Sequence, residues 1–192
     1  MAAAAAVAGE APPPPSAPCS AEVMVEWLES HDLPTDLAPD SLRALRDGLQ
    51  ATLWCLAARD GRIDVCEYLK SKAMLDMIDE PDGLGGTPLH YATASNQEEA
   101  ARWLMEHAAD INAITNHGFT VFNSACRAMS ASFVEELAGK VAPDHLALPN
   151  NYDESPMRRA FMLNAELDGY LPILRLLILR GAPVRAQDFP AS

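Results

Sequence analysis

The side chains that could do chemistry are few and scattered. Cys126, His90 and Asn112 are the residue types of a thiol hydrolase, in which an imidazole deprotonates a cysteine and an amide orients the ring. No oxyanion loop or activating context accompanies them. Gly83-Leu84-Gly85-Gly86 precedes Thr87 like a phosphate loop, but no lysine stands where the phosphate needs it. The cysteines fall at 19, 55, 66 and 126, with no Cys-x-x-Cys pair to make a zinc site or a redox dithiol. His31, His107, His117 and His145 are dispersed, and none has a second ligand at metal spacing. The expectation is a chain without catalytic residues, metal or cofactor.

The stretch Gly85-Gly86-Thr87-Pro88-Leu89-His90-Tyr91-Ala92 explains several of these residues mechanically. Gly85 permits a backbone conformation that a tight finger tip needs. Thr87 suits a helix N-cap, and Pro88 suits a first turn that needs no amide partner. His90 has ring nitrogens able to tie neighbouring loops, and Ala92 is small enough for two helices to approach. Thr120 lies 33 residues after Thr87, with Gly118 two places before it, as Gly85 precedes Thr87. Thr52 lies 35 residues before Thr87, and Ser155-Pro156 lies 35 after Thr120. This 33-residue recurrence, with Ala109-Asp110-Ile111-Asn112-Ala113 closing one unit, resembles the ankyrin-repeat family.

The resemblance implies an all-α solenoid of about four helix-turn-helix repeats, near 51–83, 84–116, 117–150 and 151–188. Thr87, Pro88, Leu89, His90, Ala92, Gly85, Gly118 and Thr120 are its framework. It also accounts for His90, Asn112 and Cys126 as separate repeat positions rather than a catalytic set. The fourth unit needs about five extra residues around Asn164–Asp168 and carries Asp153 where the finger glycine belongs.

Before the repeats, residues 1–19 read as a disordered Ala/Pro-rich tail with Pro12-Pro13-Pro14-Pro15. Residues 20–50 read as an N-terminal helical cap. Its first helix begins at Ser20 and faces inward with Val23, Trp27 and Leu28, Met24 lying beside them. Its second begins at Asp40, with Leu42, Leu45 and Leu49 at helical spacing.

A net charge of −13 and the lack of a basic patch exclude nucleic-acid binding as an expectation. The acidity suits solubility and mildly favours basic partners. No run reaches the roughly 18 apolar residues of a membrane span, and the alanine-rich start lacks the basic flank of a secretory signal. The cysteines read as small core residues of a reducing compartment, so the cytoplasm or nucleus is expected.

Ankyrin proteins present finger tips and inner helices as a concave surface. By position, the resemblance implies a non-enzymatic protein–protein interaction module, an adaptor or scaffold, contacting a protein partner through Tyr91, Phe119, His117, Arg127, Arg59 and Arg159. It also implies that Asn112 matches the pattern accepted by asparaginyl hydroxylases. Leu171, Ile178 and Leu179 add apolar area to the final helix, for a second contact or for the tail at Asp188-Phe189-Pro190 to cover. Two other classes stay open: a regulatory or targeting subunit of an enzyme complex, and an enzyme whose site is not recognisable in the sequence.

Overall fold

A computed structural model describes residues 18–163 and 170–189. Most of the tail expected over 1–19, and the extra residues expected around Asn164–Asp168, lie outside the described residues.

Four helix pairs stack in sequence order, and the described residues hold α-helices and short 3-10 turns but no strand. Two short helices come first, α1 (Ala21–Glu29) and α2 (Pro39–Ala44). The inner helices of the stack are α3 (Leu53–Asp60), α5 (Pro88–Ala94), α7 (Val121–Ala128) and α9 (Pro156–Leu163). The outer ones are α4 (Ile63–Ser71), α6 (Glu98–Glu106), α8 (Ala131–Ala138) and α10 (Leu171–Leu179). Each inner helix packs on the next inner helix and on its own outer helix. The chain is therefore an all-α solenoid with no central core; each pair buries its apolar face against its neighbours.

The inner helices start where the sequence supplies a cap. Thr52 Oγ1 accepts from the Cys55 amide at 3.2 Å, Thr120 Oγ1 from Asn123 at 2.9 Å, and Ser155 Oγ from Arg158 at 3.1 Å. Each satisfies one of the free amides of a helix start. Close stacking follows from small residues: Ala57, Ala58, Ala92, Ala125 and Ala160 are wholly buried. Between them sit Trp54, Leu89, Phe122 and Phe133, which also lose all or nearly all contact with solvent. Full burial of such a side chain contributes about 1.5–3 kcal/mol. Trp54 stacks on Trp103 of the next repeat at 5.8 Å and 27°, so an aromatic pair joins the first two units.

The N-terminal segment departs from its pattern in two places. In α1 the inward side chains are Met24, Trp27 and Leu28, while Val23 keeps 38% of its surface in solvent. The helix α2 is shorter than the leucine spacing suggests. Pro39 opens it, and the Asp36 carboxylate accepts from the Ala38 amide and the Ser41 hydroxyl, so Asp40 is not the cap. Leu45 is already extended, and Leu49 lies 60% exposed at a finger tip. The chain needs those residues to turn into the first finger, so they cannot continue the helix.

At the other end, the tail does not cover the apolar residues of α10. Phe189 packs edge-on against Phe161 of α9 at 5.2 Å, while Leu171, Ile178 and Leu179 stay 52%, 54% and 74% exposed. The reason is a cap: buried Asp188 accepts from Ser155 Oγ at 2.6 Å and from the Arg185 amide at 2.9 Å, which draws the tail over the inner layer.

Candidate functional site

The fingers are built by one repeated device. Asp47, Asp82 and Asn150 each use one side-chain oxygen to accept two amides of their own finger. Asp47 takes Leu49 and Ala51, Asp82 takes Leu84 and Gly86, and Asn150 takes Tyr152 and Glu154, all at 2.7–3.0 Å. In the third finger Thr115 Oγ1 accepts from the Phe119 amide at 3.1 Å. These four residues recur 33 to 35 positions apart, a signal that was present in the sequence. Each finger then needs one left-handed residue, and these are Gln50, Gly85, Gly118 and Asp153, at φ of 64°, 82°, 77° and 59°. Asp153 therefore adopts the glycine's conformation in the fourth finger. Aspartate tolerates that region better than most side chains.

Backbone bonds tie the fingers together: Gly83 N–H to Leu49 O, Asn116 N–H to Leu84 O and Asn151 N–H to His117 O, at 2.9–3.2 Å. A second set runs from the inner helices. His90 Nε2–H donates to Phe119 O at 3.0 Å, and Asn123 Nδ2–H donates to Glu154 O at 2.9 Å. Cys55 Sγ makes a weaker contact to Gly86 O at 3.8 Å, and the Arg158 guanidinium donates to Gln187 O. Each of these residues lies three places after its helix cap; the first three reach the residue just before the next cap, and Arg158 reaches the residue just before Asp188. The His90 ring is fully committed, because Nδ1 accepts from the Thr87 amide and hydroxyl. Burial lowers its pKa from the ordinary value, a cost the Phe119 carbonyl partly offsets.

On this frame the expected contact residues divide into three places. Phe119, His117 and Arg159 come together at the third and fourth repeats, and Arg127 of α7 is near enough to Arg159 for their charges to repel. The Arg159 guanidinium lies 5.0 Å over the Phe119 ring and 3.2 Å from Glu154. Tyr152 joins them, 6.2 Å from the Phe119 ring and 5.9 Å from His117, and is 62% exposed. Tyr91 is one repeat earlier and half-buried, and its hydroxyl donates to Asp82 Oδ2 at 2.7 Å. Burial first, then that carboxylate, raise its pKa. Arg59 is at the far end, bonded to Asp60. Asp60 also receives Trp27 Nε1–H and His31 Nε2, joining α1 to the first repeat.

The remaining expected positions have structural tasks. Thr87, Pro88, Leu89, His90, Ala92 and Thr120 are buried. Exposed Asn112 accepts from the Ala142 amide at 2.8 Å through Oδ1, bridging two connections. Cys126 has no exposed surface, and burial pushes its thiol well above the ordinary range despite the nearby Arg159 charge. The thiolate that hydrolysis needs is thus disfavoured there. Among the described residues no group of three or more His, Cys, Asp or Glu could hold a metal ion. No helix among them is long and apolar enough to cross a membrane.

A sequence model described as ankyrin repeats, in three copies, matches residues 24–115, from α1 to the third finger. NF-kappa-B inhibitor alpha of Sus scrofa is 26% identical over 164 residues, 84% of this chain and 51% of that protein. Human transient receptor potential cation channel subfamily A member 1 is 36% identical over 56 residues, covering 29% of this chain and 5% of the channel. Palmitoyltransferase akr1 of Schizosaccharomyces pombe is 39% identical over 59 residues, 31% of this chain and 9% of that enzyme. The chain thus spans about half the length of the first and a small fraction of the other two.

Proposed function

This chain is an ankyrin-repeat protein, and on that premise we propose that it is a non-enzymatic protein–protein interaction module, an adaptor or scaffold that captures its partner on the finger and inner-helix face. The observation that carries the reading is the Phe119–Arg159–Tyr152 cluster, held on fingers already bonded to one another. A surface fixed before binding loses little conformational freedom on association. Aromatic and arginine side chains are the types that concentrate binding energy. Phe119 and Tyr91 are the anchors, with His117, Arg127, Arg159 and Arg59 around them. The exposed Leu171, Ile178 and Leu179 of α10 offer a second, apolar contact. Four free cysteines, three of them buried, suit a reducing compartment, the cytoplasm or nucleus.

Affinity capture with mass spectrometry tests this, comparing the native chain with a Tyr91→Ala/Phe119→Ala variant whose fold is checked by circular dichroism. Loss of a partner from the folded variant is the expected result. A partner retained by that variant moves the binding site elsewhere, with α10 the next surface to alter.

A second reading is regulatory: a subunit that restrains or targets an enzyme or other effector. The similarity to a protein named as an inhibitor, across 84% of this chain, favours it. An activity that co-purifies with the chain and changes when the chain is removed would support it. A captured partner whose activity is the same with and without the chain would count against it.

A further inference from the structure

The inner helices differ sharply in charge along the stack. α7 and α9 together carry Arg127, Arg158 and Arg159 and no carboxylate, in a chain of net charge −13. The two nearest fourth-finger carboxylates are already engaged, Glu154 by Arg159 at 3.2 Å and Asp153 by Arg185 at 2.9 Å. Arg158 is turned toward Gln187 O in the next finger. Arg127 is exposed and pairs with no carboxylate among the described residues. Toward the other end the first two fingers carry Asp47 and Asp82, and α3 ends in Asp60.

Resting on the concave-face reading above, we infer that this face takes an acidic segment of a partner protein, seating a carboxylate at Arg127 and Arg159 and an apolar neighbour against Phe119, Tyr152 and Met162. The argument is charge complementarity at close range. At physiological salt, charges more than about 8 Å away are largely screened, so the acidity of the whole chain does not set the preference of this patch. Burial first, and the neighbouring Arg127 second, lower the Arg159 guanidinium from its ordinary pKa, with Glu154 opposing. An incoming carboxylate set between Arg127 and Arg159 counters their like-charge repulsion, and its attraction to both offsets the cost of their burial. Guanidinium is the group suited to it, being planar and able to donate two parallel hydrogen bonds. Tyr152, 62% exposed and 6.2 Å from the Phe119 ring, and Met162, 54% exposed and three residues after Arg159 on the same helix, offer apolar surface beside it. The general acidity of the chain, which by itself favours basic partners, is thus reversed locally.

Fluorescence anisotropy tests the inference with two labelled peptides, one alternating glutamate and leucine around a central phenylalanine, the other with lysine for glutamate. The glutamate peptide is expected to bind, less tightly as salt rises, and the lysine peptide to bind poorly. Arg127→Glu should weaken the glutamate peptide by about tenfold or more. Arg175→Glu makes the same charge change on α10 and should have little effect. Equal binding of the lysine peptide, equal effects of the two variants, or no binding of the glutamate peptide overturns the inference. If, in any of these cases, Tyr91→Ala/Phe119→Ala still abolishes capture of a partner, the concave-face reading survives on its own. If that variant retains the partner, both fail.

Discussion

His90 Nε2 lies 3.0 Å from the Phe119 carbonyl oxygen, so the inner helix of one repeat is bonded to the finger of the next through a single buried imidazole. The same ring accepts from Thr87 at its other nitrogen. His90→Ala removes one of that carbonyl's two donors, the Thr115 amide at 3.0 Å remaining, and leaves the Thr87 amide without its acceptor, so it is expected to lower stability by about 1–3 kcal/mol in urea unfolding. His90→Asn should recover part of the loss, because Asn123 makes the equivalent bond to Glu154 one repeat later.

The same residue gives a pH dependence. Burial holds the folded-state pKa of His90 below its ordinary 6.5, so the unfolded chain binds its proton first as pH falls. The stabilisation is complete above about pH 6.5 and is lost as pH drops from there to the folded-state value, with a slope of at most about 1.4 kcal/mol per pH unit. Urea midpoints measured between pH 7 and 5 should fall in the native chain, and fall less steeply in His90→Asn. Equal slopes would mean that His90 is not the titrating group.

Two glycines separate strain from collision. Gly85 and Gly181 have nearly the same left-handed φ, 82° and 81°. An added Cβ at Gly85 would lie 2.8 Å from Asn116 Oδ1 and 2.9 Å from the Asn116 amide nitrogen, whereas at Gly181 it would meet nothing within 4 Å. Gly181→Ala should therefore cost only the backbone penalty of about 1–2 kcal/mol. Gly85→Ala should cost at least about 1 kcal/mol more, since the next finger must move. Thermal unfolding of both variants checks the difference.

Asp82 holds a finger and the proposed anchor Tyr91 at once, accepting from Leu84, Gly86 and the Tyr91 hydroxyl. Tyr91→Phe should cost about 1 kcal/mol of stability and leave partner capture intact, because the ring stays in place. Asp82→Ala should cost more and also weaken capture by releasing both the finger and Tyr91. If Tyr91→Phe alone abolishes capture, the contact is made by the hydroxyl and not by the ring.

The cysteines should differ in reactivity. Burial pushes Cys55 to about 11 and Cys66 to about 12, raises Cys126 further, and raises Cys19 while leaving it only half-buried. A maleimide or iodoacetamide at mildly alkaline pH should label Cys19 first, with the others reacting only on unfolding. Mass spectrometry of the intact chain reads this directly. Early labelling of Cys126 would show that the third repeat opens.

The sequence by itself determined the repeat register and the helix pairs, because their causes are local. A threonine cap, a proline at a first helical turn, a glycine at a left-handed position and a 33-residue recurrence act within one unit. The finger staple at Asp47, Asp82, Thr115 and Asn150 was equally periodic, although its pattern mixes carboxylate, amide and hydroxyl. Local pattern misled at Val23 and Leu49, where helical spacing continues past the point at which the chain must turn. The tertiary structure alone decided what crosses between repeats. Cys55, Asn123 and Arg158 make contacts equivalent to those of His90 with unlike chemistry, so residue type does not reveal the position. Arg159 meets Phe119, Arg127 is left without a carboxylate among the described residues, and Phe189 covers Phe161 instead of Ile178 and Leu179. Phe119 and Arg159 lie 40 residues apart in the chain, and Phe161 and Phe189 lie 28 apart. Their meeting depends on how each unit is rotated on the one before it. That rotation is set by the packing of whole helices, which no single unit encodes.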